Sequence, residues 1–296
     1  MKLEGFESLW HENKIIEPGN IYHLSLSKET YQKQYNIFKE KVYNCIGKTF
    51  LPIYRMSDGE FKFCLGKTSI KKKILSGLKI SKNYSGTCWG ESYTKKEIKS
   101  VYPYFIKSLK KISEHGLLAL HFLEAAGFER YAVYTRPMCD WFDRNEIELT
   151  ESNYISFYFV YALLSGGDSL GLFKNRKILI ITSSYGDNFA RLEKELSSRY
   201  YSEVSFYEIS RSKSLLEKIN LKKIDRSADV VLIGAGIGSS IIMEQLSSLK
   251  TVCIDSGIFL EMLVNKNLNT SRLFLKENRL IQTKDQQNLN GSKPQH

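Results

Sequence analysis

The sequence predicts an α/β fold, a Rossmann-like parallel sheet flanked by helices, and three observations predict it. Short apolar runs alternate with segments of helical period from residue 177 to residue 255. Such alternation marks right-handed βαβ units whose strands are apolar on both faces. Two of the runs pass directly into glycine-bearing stretches, residues 183–188 (SSYGDN) and 234–238 (GAGIG), where such sheets place their ligand loops. Finally, 296 residues at 42% hydrophobic and 25% charged supply ample core for a globular chain.

Residues 29–47 place Tyr31, Tyr35, Phe38, Val42 and Cys45 at helical spacing, which predicts a helix with one apolar face. Residues 49–55 read as a strand that runs into a turn at Asp58-Gly59-Glu60. A helix over 94–113 precedes a buried strand over 116–123 (GLLALHFL), and 154–164 reads as a strongly apolar helix. The regular part then gives strands at 177–182, 204–209, 229–234 and 251–255, with helices at 188–200, 212–221 and 239–249 between them. We expect one α/β domain over 1–265, less regular to about residue 165 and Rossmann-like over 170–264. Residues 266–296 read as a frayed tail.

Composition narrows the function classes. No apolar run approaches the ~20 residues that span a bilayer. The N-terminal residues carry acids where a signal peptide would be apolar, so a cytoplasmic protein is expected. Cys45, Cys64, Cys88, Cys139 and Cys253 are scattered, odd in number and without a C-x-x-C pair. Buried thiols are therefore expected rather than a disulfide framework or a zinc knuckle. The net charge of +11 favours anionic partners. The densest basic cluster, Lys71-Lys72-Lys73 with Lys67 and Lys79, is short and lacks the motif context of a nucleic-acid binder, so no nucleic-acid partner is expected.

Four groups fall at strand ends: Asp58 with Glu60, the SSYGDN stretch, the GAGIG turn and Asp255. GAGIG followed about 20 residues on by Asp255 is the pattern of an NAD- or FAD-binding unit. Ser239, however, stands where that fingerprint wants its third glycine. Asp58 and Glu60 share one side only on an extended or turned backbone, and Gly59 gives that freedom. Two hard oxygen donors close together suit Mn²⁺ or Mg²⁺, which takes one or two carboxylates plus phosphates and water. Arg55 would brace the pair or reach a phosphate. A solvated polar turn is the competing reading.

The same residues carry a resemblance. RMSDGEF (55–61) resembles the R-x-x-DGE signature of bacterial glycosyltransferases of the GT-D type. YTRPMCDWF (134–142), RKILIITSSYGDNF (176–189) and 229–259 resemble further blocks of that family in the same order, so the likeness spans roughly 50–260. The resemblance implies the GT-D-type fold and a metal-dependent transfer of sugar from a nucleotide-sugar, most simply a UDP-sugar. The acceptor it implies is a glycan, glycoprotein or lipid-linked acceptor of the bacterial surface. It implies Asp58 and Glu60 as metal and diphosphate ligands, and Arg136 as a phosphate or sugar clamp. Arg55, Ser57, Gly59, Gly186, Asn188, Gly234, Gly236 and Asp255 would line the donor site. The basic charge further suggests peripheral work at the inner face of the membrane. Two positions depart from the pattern: Met138 replaces a tyrosine, and Ile258 replaces a histidine expected three residues after Asp255. The departure at Ile258 means fewer metal ligands, another residue in that role, or a relative that binds nucleotide or glycan without turnover. Among other residues, His121 reads as a core histidine, and Glu124 is a candidate base for the acceptor hydroxyl.

Overall fold

The computed structural model describes residues 28–66, 93–120, 129–150 and 152–265. Helix α1 (Lys28–Cys45) buries the face its spacing predicts, with Tyr35, Phe38 and Val42 sealed and Cys45 half-buried. Strand β1 (Leu51–Met56) is buried at every position. Helix α2 (Asp58–Cys64) follows immediately, then α3 (Lys95–His115), β2 (Leu117–Leu120) and α4 (Glu129–Arg144). Next come β3 (Tyr154–Ser156), α5 (Phe157–Ser165), α6 (Ser169–Phe173), β4 (Lys177–Thr182) and α7 (Asn188–Tyr200). Strand β5 (Glu203–Glu208), β6 (Val230–Gly234), α8 (Ser239–Gln245), β7 (Val252–Asp255) and α9 (Phe259–Val264) complete the described elements.

All seven strands form one parallel sheet in the order β3-β2-β1-β7-β6-β4-β5. Ile53 of β1 lies opposite Leu117 of β2 and Ile254 of β7, which joins the less regular half to the regular one. Alternate residues feed two cores, as a period of two requires. Ile178, Ile180 and Leu232 face a layer of α1, α5, α6, α7 and α9; Leu179, Ile181 and Ile233 face one of α2, α3, α4 and α8. Central strands are apolar on both sides because helices cover both, whereas edge strand β5 is half exposed.

Several expected elements differ. The apolar stretch at 154–164 is not all helix: Tyr154–Ser156 pair with Leu118–Leu120 as β3, and the Ser156 hydroxyl then accepts from the Tyr158 amide to cap α5. Periodicity alone cannot divide a continuous apolar run into strand and helix. Residues 212–221 form one 3₁₀ turn (Ser214–Leu216), because Gln245 of α8 takes the Ile219 amide and the Glu217 carbonyl that a helix would use. The helix from Ser239 stops at Gln245, short of 249. Helix α4 over the 134–142 stretch had no prediction. The strand from 116 is described over Leu117–Leu120. Its remainder, with His121, Glu124, the lysine cluster at 67–79, Cys88 and the tail 266–296, lies outside the described residues. Of the other four cysteines, Cys64, Cys139 and Cys253 are buried and Cys45 is half-buried.

Candidate functional site

At the carboxyl edge of the sheet, β4 hands over to α7 on one face while its neighbour β6 hands over to α8 on the other. Loops that part in this way leave a crevice, the usual ligand position in open α/β sheets. Here it is an open cleft with a cavity volume of about 90 Å³, lined by the ends of β4 and β6 and the loops after β5 and β7. Asn188 is almost fully buried at its rim and acts on the loop rather than on the cleft. Its Oδ1 accepts from the Tyr185 amide at 2.9 Å, and its Nδ2 donates to the Ser183 carbonyl at 3.1 Å. The glycines divide by role. A Cβ on Gly234 would press on Thr182 Oγ1 at 2.9 Å, and one on Gly238 would meet the Ser214 backbone at 2.6 Å, so these two permit packing. Gly186 (φ +55) and Gly236 (φ +52) adopt left-handed backbone with open space beside them.

A second constellation lies one strand over, between β1 and β7. Arg55, at the end of β1, is buried. Its Nε donates to the Asp255 carbonyl at 2.5 Å, and its Nη2 is 3.6 Å from Asp255 Oδ1. The guanidinium stacks on Tyr161 and Phe157, 4.6 and 5.0 Å from their ring centroids. Its Nη1 is buried with no hydrogen-bond partner. Asp255 Oδ1 also accepts from the Gly257 amide and the Ser239 hydroxyl. Burial raises the Asp255 carboxyl above the ordinary range, against the pull of Arg55. Burial, and then the charge of Asp255, push the Glu60 carboxyl up to about 7.

The Asp58-Gly59-Glu60 stretch is not the turn expected. It is the first turn of α2, with Ser57 as the N-cap and the Ser57 amide donating to Glu60 Oε2 at 3.0 Å. A Ser-x-x-Glu spacing is the capping-box signature, and that local preference wins over an extended pair. On a helix, residues two apart point about 200° away from each other, so the two acids diverge. Asp58 faces outward and pairs with Lys62 at 2.6 Å; Glu60 turns back toward the Arg55–Asp255 junction. Among the described residues, no three His, Cys, Asp or Glu side chains gather around one metal position. The donor set therefore fits a divalent ion only in a restricted way, through the half-exposed carboxylate of Asp58 with phosphates and water completing the shell.

The other expected residues are dispersed. Arg136 falls on α4, and only its place on that helix is described. Met138 is fully buried core, and Ile258 lines the cleft with an apolar wall where the resembling family carries a histidine. With its carboxylate engaged by Arg55, Gly257 and Ser239, Asp255 is not presented to a ribose as a dinucleotide site would need. Sequence reasoning missed Tyr185, Arg211, Gly257 and Glu261, all of which line the cleft. Only Gly257 had a local signal, a glycine two residues after a strand-end acid, the pattern of an Asx turn. Among known protein families, curated proteins and solved structures, no match to this chain was found.

Proposed function

We propose that the protein is a metal-dependent glycosyltransferase that takes its sugar from a nucleotide-sugar, most simply a UDP-sugar. One observation carries this reading: the open cleft at the parted strand ends shares Gly257 as a wall with the buried Arg55–Asp255 junction, and Arg55 lies at the end of the strand that runs into the acid-bearing start of α2. The nucleoside enters the cleft beside Gly186 and Gly236, whose backbone is free of side-chain cover. Asp58 is the residue that would hold Mn²⁺ or Mg²⁺, and such an ion supplies positive charge against the departing diphosphate. Glu60 fixes the start of α2 by capping Ser57, and through it the position of Asp58. The acceptor hydroxyl of a glycan, glycoprotein or lipid-linked sugar attacks the anomeric carbon. Following the resemblance, Arg136 joins the stabilisation of the diphosphate. No described helix is long and apolar enough to cross a membrane. The net charge of +11 supports peripheral attraction to an anionic lipid surface.

The test is calorimetric titration of UDP, with and without Mn²⁺, into the wild type, Asp58→Ala and Glu60→Gln. The expected result is metal-dependent binding that Asp58→Ala abolishes and that Glu60→Gln, which keeps the cap on Ser57, retains. UDP binding that ignores both the metal and Asp58 would leave the acids as helix-capping residues alone, and the reading would fall.

A further inference from the structure

The cleft carries a charge pair that its glycine turns do not explain. Of the described residues that line it, Arg211 is the one cation and Glu261 the one anion. They come from different elements, Arg211 from the loop after β5 and Glu261 from α9. The Arg211 guanidinium lies over the ring of Tyr185, 5.3 Å from its centroid. The Tyr185 backbone is held in turn by Asn188, whose Oδ1 accepts from the Tyr185 amide. Nearby cations are already engaged: Arg191 pairs with Asp187 at 2.9 Å, and Lys213 pairs with Glu97 at 2.8 Å. Among the described residues, Arg211 rests on an aromatic face and on no carboxylate. A guanidinium stacked in this way keeps its planar fork of donors for a ligand. Glu261 lines the same cleft from α9, so the cleft carries a positive wall at Arg211 and a negative one at α9. An anionic group entering it is repelled from the α9 wall and drawn to the other.

We infer that Arg211, propped on Tyr185, is a phosphate-binding group of this cleft, and that the ligand class is a phosphorylated nucleoside with a phosphate at the Arg211 wall. The inference rests on the nucleotide reading above and adds the residue that recognises the charge. Charge-assisted bidentate contacts to phosphate are the strong ones, whereas uncharged nucleoside has nothing to offer Arg211.

The experiment titrates UDP, uridine and inorganic pyrophosphate, at fixed Mn²⁺, into the wild type, Arg211→Ala, Arg211→Lys and Glu261→Gln. Arg211 is exposed, so melting temperatures should stay level and the variants remain comparable. Arg211→Ala should weaken UDP by roughly tenfold or more and leave uridine unchanged, with Arg211→Lys recovering part of the loss. Glu261→Gln should tighten UDP and pyrophosphate. If UDP binds the wild type and Arg211→Ala equally, the inference is overturned while the nucleotide reading stands. If the wild type binds neither UDP nor uridine, the nucleotide reading fails. Pyrophosphate then decides for Arg211 alone: binding lost in Arg211→Ala keeps its phosphate role, and no binding at all overturns it.

Discussion

The β1–β7 junction and the β4–β6 cleft lie on the same edge of the sheet, yet they treat polar groups in opposite ways. At the junction, Arg55 and Asp255 are sealed among Tyr161, Phe157 and Gly257, and each takes the other as partner. In the cleft, Arg211 lies over the Tyr185 ring, and Glu261 lines the same space from α9. Gly257 belongs to both, lining the cleft while its missing side chain leaves room for the guanidinium. Charges that are buried and mutually engaged hold the strand ends in place and have little capacity left for a ligand. Arg211, exposed at the cleft wall, has that capacity because water keeps it solvated at small cost. The chemistry of the edge thus divides into a fixed brace and an adaptable receptor, one glycine apart.

That division breaks most sharply at Gly257. A Cβ there would sit 1.5 Å from Arg55 Nη2, on a backbone already at φ +47. Gly257→Ala must displace the guanidinium and leave the Asp255 charge buried without it, a loss of about 3–5 kcal/mol. Gly186→Ala is the matched control, with φ +55 and nothing within 4 Å of the added carbon. It should cost only the left-handed backbone penalty, about 1–2 kcal/mol. Urea denaturation of both variants measures the gap. Equal losses would mean that Gly257 matters for its backbone angle alone and that the brace is not held there.

The brace itself can be sharpened by a double-mutant cycle. Arg55→Met keeps apolar volume against Tyr161 and Phe157 but strips the partner from Asp255, which again costs about 3–5 kcal/mol. Adding Asp255→Asn removes the stranded charge, so the double variant should recover a good part of that loss. If the two single losses simply add, the pair is not coupled and the junction is ordinary packing.

How much of this was legible beforehand depends on whether a signal was local. The strand Lys177–Thr182 and the helix Asn188–Tyr200 match the reading of the sequence residue for residue, because apolar runs and helical spacing are written in neighbouring positions. Asp58 and Glu60 were found as a pair but given the wrong geometry. The Ser57-x-x-Glu60 capping signal was present in the same four residues and outweighed the glycine between the acids. Arg55 was read as a group facing either the acids or a phosphate. Its burial against Asp255 joins residues 200 positions apart and leaves no mark in either segment. Arg211, Tyr185 and Glu261 come from three separate elements and meet only because the sheet order sets β4 between β5 and β6.

Glu60 borders the junction, and its proton gives the finest test of whether it belongs to the brace. Its carboxyl is pushed up to about 7 in the folded chain from an ordinary value of 4.5. Between those values the folded state holds a proton that the unfolded state has released. By linkage, stability from this group is fully present below about 4.5, falls as pH rises through about 7, and is level above that. This is the reverse of a carboxylate stabilised in its charged form. The slope from this one group reaches at most about 1.4 kcal/mol per pH unit. Glu60→Gln keeps the cap on Ser57, since glutamine serves the same position of the capping box. Urea midpoints of metal-free wild type and Glu60→Gln, compared from about pH 5 to about pH 8, isolate the proton. The variant should gain on the wild type from about pH 5 to about pH 7 and hold level above that. Parallel curves would mean that Glu60 is charged throughout and solvated like Asp58, a member of the outer rim and not of the brace.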